Sequence, residues 1–216
     1  MVNAEERLKY FYDNYDIMAN YILDGNKKIV LGDKKNQKCR FCGRMASDTK
    51  FRMEAHAIPE LVGNKILFTN YECDECNQKF SNLLEDHLAA YLSIWRTLMQ
   101  ICGKRGIPKY KKNNSQIYVD ESKVNIITYV DNNILQAGEK NRELKIEGTR
   151  EPYVPIAVYK CFVKMALSII PGNELSNVNW ALEWVGESAH NNSKFNIKPL
   201  IIHTAFTPRD PISFAL

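Results

Sequence analysis

CRFCGRMASDTKFRMEAHAIPELVGNKILFTNYECDECN, residues 39–77, opens and closes on the same device, Cys39-x-x-Cys42 and Cys73-x-x-Cys76. A Cys-x-x-Cys turn presents two sulfurs at a separation that suits one metal ion, and two such turns complete a tetrahedral thiolate shell. Matched pairs in one chain point to a structural zinc site made of Cys39, Cys42, Cys73 and Cys76. The other readings of such pairs are a disulfide framework or a redox pair. Against disulfides, Glu5, Glu6 and Arg7 stand where an export signal would carry its apolar core, and the chain is 216 residues long. A thiolate-saturated zinc is inert, so any chemistry must come from what it holds in place.

The insert between the two pairs, residues 43–72, is longer than a usual zinc-ribbon loop and must be a structure in its own right. The spacing predicts a strand over 51–58, a turn over 59–65 containing Gly63-Asn64, and a second strand over 66–71. From Asn77 to Cys102 the pattern turns helical, with Phe80, Leu84, Leu88, Tyr91, Trp95, Leu98 and Cys102 on one stripe. Residues 39–102 therefore read as strand, turn, strand and long helix, pinned at both ends of the hairpin.

The chain has four histidines, His56, His87, His190 and His203. His56 ends the first predicted strand, in Glu54-Ala55-His56-Ala57-Ile58-Pro59, where an imidazole can take a proton from water near neutral pH. Asn77 follows the second cysteine pair. Its carboxamide oxygen can ligate a hard cation without titrating, or it can cap the helix. Hairpin and helix would then clasp one divalent ion and a phosphate between them. His87 reads as a solvated helix residue, and His190 and His203 have no motif around them.

Residues 39–88 resemble an HNH endonuclease of the four-cysteine subtype. The pieces that carry the likeness are Cys39-Arg40-Phe41-Cys42-Gly43, His56-Ala57-Ile58-Pro59-Glu60, Gly63-Asn64-Lys65, Glu72-Cys73-Asp74-Glu75-Cys76-Asn77, Phe80 and Leu84-Glu85-Asp86. The stretch is similar to the nuclease domain of bacterial antiphage effector endonucleases. The resemblance implies an α+β fold with a zinc-stapled ββα-metal (His-Me finger) core, DNA as substrate, and one catalytic Mg²⁺ or Mn²⁺ beside the structural Zn²⁺. It makes His56 the general base, Asn70 the residue that orients its imidazole, and Asn77 a ligand of the catalytic metal. Many relatives place an acidic residue or a second histidine directly before the base. Here that position is Ala55, and Glu54 or Glu85 is expected to ligate in its place.

Around this core, residues 1–38 read as an N-terminal helix (4–24) and a lysine-rich lead-in, residues 39–103 as the nuclease domain, and residues 104–115 as a basic linker. Lys104, Arg105, Lys109, Lys111 and Lys112 in that linker either track nucleic-acid phosphates or form a solvated connection. Residues 116–216 read as an α+β accessory domain, with strands at 117–119, 124–130 and 144–146, helices at 154–169 and 174–185, and a strand at 199–206. That region leaves room for a homodimer, a regulatory ligand or a partner protein. Cys102 and Cys161 fall in apolar helical patterns and are expected to be buried thiols.

The net charge of +4 permits a nucleic-acid partner without requiring one, and no run is long enough to span a membrane. The expectation is a cytoplasmic enzyme that hydrolyses phosphodiester bonds in DNA, in bacterial defence or restriction. The alternative is a zinc-dependent nucleic-acid-binding or adaptor protein whose HNH site is vestigial.

Overall fold

The computed structural model describes residues 4–23, 27–129, 134–137 and 144–190. The hairpin is present, built on very short strands: β2 (Ala55–His56) pairs antiparallel with β3 (Leu67–Thr69), with Ala55 opposite Thr69 and His56 opposite Phe68. A third strand, β1 (Ile29–Leu31), runs parallel to β3 on its other side, giving the order β1-β3-β2. Only two residues of the predicted 51–58 strand pair with a neighbour, because the preceding segment is fastened to a helix instead. The amides of Arg52 and Met53 both donate to Asp74 Oδ1 at 2.9 Å.

The turn between the strands contains a short 3₁₀ segment (Glu60–Val62) stopped by Gly63, whose φ of 95° a side-chain-bearing residue adopts only under strain. Asn64 then staples the hairpin from inside. Its Oδ1 accepts from the amides of Ile66 and Leu67, while its Nδ2 donates to the carbonyls of Ile58 (2.6 Å) and Leu67 (2.8 Å).

The long helix starts three residues earlier than the apolar pattern predicts and is interrupted. It comprises α2 (Asp74–Phe80), a π-helical turn (Ser81–Glu85) and α3 (Asp86–Leu98). Cys73 is its N-cap residue, so Asn77 lies one turn inside and is not the cap. Asp74 and Glu75 occupy the first turn, where carboxylates favour the helix dipole. The helix ends at Leu98 because Gln100 takes a left-handed conformation (φ 54°), and Cys102, beyond that stop, is exposed where the helical pattern predicts burial. Cys161 is buried as expected.

The N-terminal helix α1 covers Ala4–Asn14, and the rest of the predicted 4–24 helix has no regular structure among the described residues. Past the basic segment, β4 (Tyr110–Lys112), β5 (Ser115–Asp120) and β6 (Lys123–Ile127) form an antiparallel sheet, and β7 (Leu135–Ala137) pairs with β8 (Leu144–Ile146). Helix α4 (Pro155–Ile169) opens on a proline at its first position and stops before Pro171. A 3₁₀ segment (Gly172–Val178) leads into α5 (Asn179–Gly186). The predicted strand at 199–206, with His203, lies outside the described residues.

The main core joins the two halves of the chain. Cys39, Cys73, Cys76, Phe80, Leu84 and Leu88 pack in one cluster with Ala157, Val158, Cys161, Met165 and Leu167 of α4 and Ala181, Trp184 and Val185 of α5. Arg40, inside the first cysteine turn, donates to the carbonyls of Leu167 (2.6 Å) and Ile170 (3.0 Å) at the end of α4, and its guanidinium lies over Tyr71 at 3.9 Å. A cation at a helix C-terminus satisfies carbonyls left without amide partners. Helix α4 is thus seated on the cysteine-pinned hairpin rather than standing apart from it.

Candidate nuclease site

The four sulfurs of Cys39, Cys42, Cys73 and Cys76 lie within 4.8 Å of one another, and Cys42 and Cys73 are 3.8 Å apart. Tetrahedral zinc with Zn–S bonds of about 2.3 Å would set sulfurs about 3.8 Å apart, so the cluster fits that ion. The turn geometry is what the sequence predicts. Gly43 closes the first turn with φ 73°, its amide donating to the Cys39 carbonyl at 2.8 Å. A side-chain bond from Cys76 holds the Cys39 thiol at about 4, far below its ordinary value, and the same bond together with burial pushes Cys76 up. A cluster that already favours one thiolate is suited to a cation. Arg44 braces the exterior, with Nη1 and Nη2 donating to the two carboxylate oxygens of Glu75 at 3.1 and 2.7 Å.

Beside this cluster lies a cleft of about 650 Å³, and His56 and Asn77 both line it. Its walls come from three places: Glu54 and His56 at β2, Glu60 on the 3₁₀ turn, and one helical face carrying Asn77, Ser81, Glu85 and Arg96. The loop Gly103–Gly106 closes the rim with Lys104 and Arg105. Residues four apart share a helix face, and the π turn carries that face past Ser81 to Glu85.

His56 is half-buried, its ring 4.4 Å from that of Phe68, opposite it on β3. Its Nε2 is 4.0 Å from Glu60 Oε2, and Glu60 is itself paired with Lys65. Its Nδ1 faces Asn64 Nδ2 at 3.4 Å. Burial lowers the imidazole's pKa; Glu60 opposes that, while Lys65 and Lys164 add to it. The balance favours the neutral ring, the form that accepts a proton.

Asn70 lies elsewhere. Its Nδ2 donates to the Gly32 carbonyl at 3.2 Å and its Oδ1 faces Gln37, so its hydrogen bonds run toward the β1 side of β3, away from β2 and His56. Asn64 stands beside the imidazole instead. The sequence signal for it is an asparagine directly after the turn glycine, a residue type that bonds backbone within its own loop.

Ala55 is 1 % exposed and faces the core, since neighbours along a strand point to opposite sides. Glu54 is paired with Lys28 at an exposed position. Glu85 is half-buried, and burial, only partly offset by Lys164, raises its carboxyl pKa. The Asn77 carboxamide makes no hydrogen bond among the described residues. A half-buried carboxyl and a carboxamide without a hydrogen bond among the described residues, in one cleft, are a donor set that a hard divalent cation would satisfy.

Of the basic residues, Lys104 and Arg105 border the cleft. Lys109 lies over Tyr118 at 5.2 Å, and Lys111 and Lys112 belong to β4. His87 Nδ1 accepts from the Val154 amide at 3.2 Å, and its ring meets that of His190 edge-on at 5.8 Å, apart from the cleft. No helix among the described residues is long and apolar enough to cross a membrane.

Residues 39–93 match the HNH endonuclease family. The match spans the two cysteine turns, the hairpin that carries His56 and the helix that carries Asn77 and Glu85. It stops within α3, so Arg96, Lys104, Arg105 and the whole of α4 lie beyond it. No curated protein and no solved structure matches the chain.

Proposed function

We propose that the chain is a metal-dependent endonuclease that hydrolyses phosphodiester bonds in DNA, with a ββα-metal core formed by β2, β3 and the helix after them. The observation that carries the reading is the convergence of His56 and Asn77 on one cleft beside a four-cysteine cluster. Zn²⁺ at the cysteines fixes the hairpin against the helix and contributes folding free energy. Asn77 and Glu85 would hold a Mg²⁺ or Mn²⁺ ion, which when bound offsets charge on the phosphate and the leaving oxygen. His56, neutral at pH 7, takes the proton from the attacking water. Asn64 and Phe68 limit how its ring can turn, and Glu60 stabilises the imidazolium that forms.

The competing reading, a nucleic-acid-binding protein with a vestigial site, draws on Ala55. That residue faces the core, so the group missing there is not missing from the cleft. The likeness of 39–88 to antiphage nuclease domains makes foreign DNA, phage genomes included, the first substrate to assay.

The test is plasmid incubated with the chain in Mg²⁺ or Mn²⁺, with and without chelator, beside His56→Ala. Metal-dependent cutting that the substitution abolishes supports the enzyme. Binding without cutting in either metal returns the vestigial reading.

A further inference from the structure

Arg96 is a cation with no side-chain partner among the described residues. It sits on α3 three turns beyond Glu85, half-buried, with its side chain in the wall of the cleft. Its Nε is sealed from solvent and bonds to nothing, and it makes no ion pair with any carboxylate among the described residues. The cleft's carboxylates are Glu54, Glu60, Glu85 and Asp86; Glu54 is engaged by Lys28 and Glu60 by Lys65, and none of the four pairs with Arg96.

The loop after the helix runs close to the group: a Cβ built on Gly103 would fall 2.8 Å from Arg96 Nη2. The same loop brings Lys104 and Arg105 to the cleft. Its start is fastened to the site, since Lys65 donates to the Gly103 carbonyl at 3.1 Å while pairing with Glu60 beside His56. An Nε–H shut off from water without a partner is costly, and a phosphate is the partner whose geometry the planar fork of a guanidinium matches in two parallel bonds.

We propose that Arg96 is the phosphate-binding residue of the cleft, gripping a backbone phosphate of the nucleic acid with Lys104 and Arg105 beside it. This deepens the nuclease reading and rests on it for the identity of the anion. Burial already disfavours the charge on Arg96 in the free protein, and a bound phosphate would compensate for it. The assignment moves the nucleic-acid contact from the tail of the basic segment, Lys109 to Lys112, to its head and to the helix before it.

The experiment measures binding of a fluorescent DNA duplex to the full chain by anisotropy, in chelator so that nothing is cut. It compares the unsubstituted chain, Arg96→Gln, Arg96→Lys and a distant control, Lys123→Gln, with circular dichroism to establish that each is folded. Arg96→Gln is expected to weaken binding roughly tenfold to a hundredfold and to flatten the salt dependence by about one phosphate contact. Arg96→Lys, which keeps the charge and loses the fork, falls between, and Lys123→Gln stays near the unsubstituted value. A folded Arg96→Gln that binds as tightly as the unsubstituted chain overturns the proposal, as does absence of DNA binding by the unsubstituted chain.

Cleavage in Mg²⁺ separates the two claims. A chain that binds through Arg96 and never cuts sinks the nuclease reading and leaves this one standing. A chain that cuts equally well with Arg96→Gln does the reverse.

Discussion

The ammonium of Lys164 lies 2.8 Å from the carboxylate of Glu72, and both side chains are shut off from solvent. Glu72 precedes the zinc-turn residue Cys73, whereas Lys164 comes from α4, far outside the nuclease match. Lys164 also reaches the backbone carbonyl of His56 at 3.5 Å and lies about the same distance from the rings of Phe41 and Phe80, 6.0 and 5.8 Å. Burial alone would favour the neutral amine. Glu72 and Glu85 together outweigh it and keep the ammonium above its ordinary value. One buried charge thus connects the second cysteine turn, the strand that carries His56 and the C-terminal helix.

Breaking such a pair on one side strands the other charge in the core, which typically costs about 3–5 kcal/mol. Lys164→Met is expected to lower the urea unfolding midpoint accordingly, and Lys164→Met with Glu72→Leu to recover most of the loss, because a well-packed apolar replacement removes both desolvation penalties. A single Lys164→Met that unfolds at the unsubstituted midpoint would remove Lys164 as the clamp.

The four-cysteine cluster, which would hold zinc, is the second candidate determinant of the fold. Cys39, Cys73 and Cys76 belong to the same core cluster as α4 and α5, so loss of the ion loosens more than the hairpin. Structural zinc supplies on the order of 10 kcal/mol in small sites, comparable to the whole stability of a domain. Elemental analysis should find one zinc per chain, and a strong chelator or Cys73→Ser should abolish the cooperative melting transition. Full retention of that transition in metal-free protein would contradict a structural role.

How much of this was legible beforehand divides along physical lines. Cys-x-x-Cys spacing and the sequence around His56 are local signals, and the sulfurs and the imidazole lie where those signals put them. Asn70 and Asn64 could not be told apart in that way. Both lie in the hairpin, and only the order β1-β3-β2 turns the hydrogen bonds of Asn70 away from His56. Cys102 continues the apolar stripe of the helix, but Gln100 breaks the backbone before it. The Lys164–Glu72 contact joins residues 92 positions apart in sequence, and a lysine on an apolar helix reads as a solvated face until its partner is seen. Arg96 likewise carries no local signal that sets it apart from any other charge on a helix.

If His56 is the proposed general base, its lowered pKa predicts the pH dependence. A general base works in its neutral form, so kcat/KM should climb with pH through a value below the ordinary 6.5 and stay level above it. Glu60 raises that value, so Glu60→Gln should move the acid limb to still lower pH and slow the reaction by removing the imidazolium's counter-charge. Stability follows the same sign. The contribution from a neutral His56 is complete above the unfolded value and fades as pH falls through the lower folded one. An acid limb at or above 6.5 would mean that another group governs the rate.

The catalytic-metal ligands can be sorted by substituting one residue at a time and titrating the cation. Asn77 and Glu85 line the cleft and make no side-chain hydrogen bond or ion pair among the described residues, whereas Glu54 is held by Lys28 in an exposed pair. Asn77→Ala and Glu85→Gln should therefore raise the Mg²⁺ concentration for half-maximal cleavage by roughly ten- to a hundredfold, each losing one charged or dipolar oxygen from the shell. Glu54→Gln should leave it within about twofold, because exposed ion pairs contribute little. The converse pattern, with Glu54 critical and Glu85 dispensable, would shift the ion toward the open end of β2 and away from the π turn, and Ser81–Glu85 would then have no part in holding it.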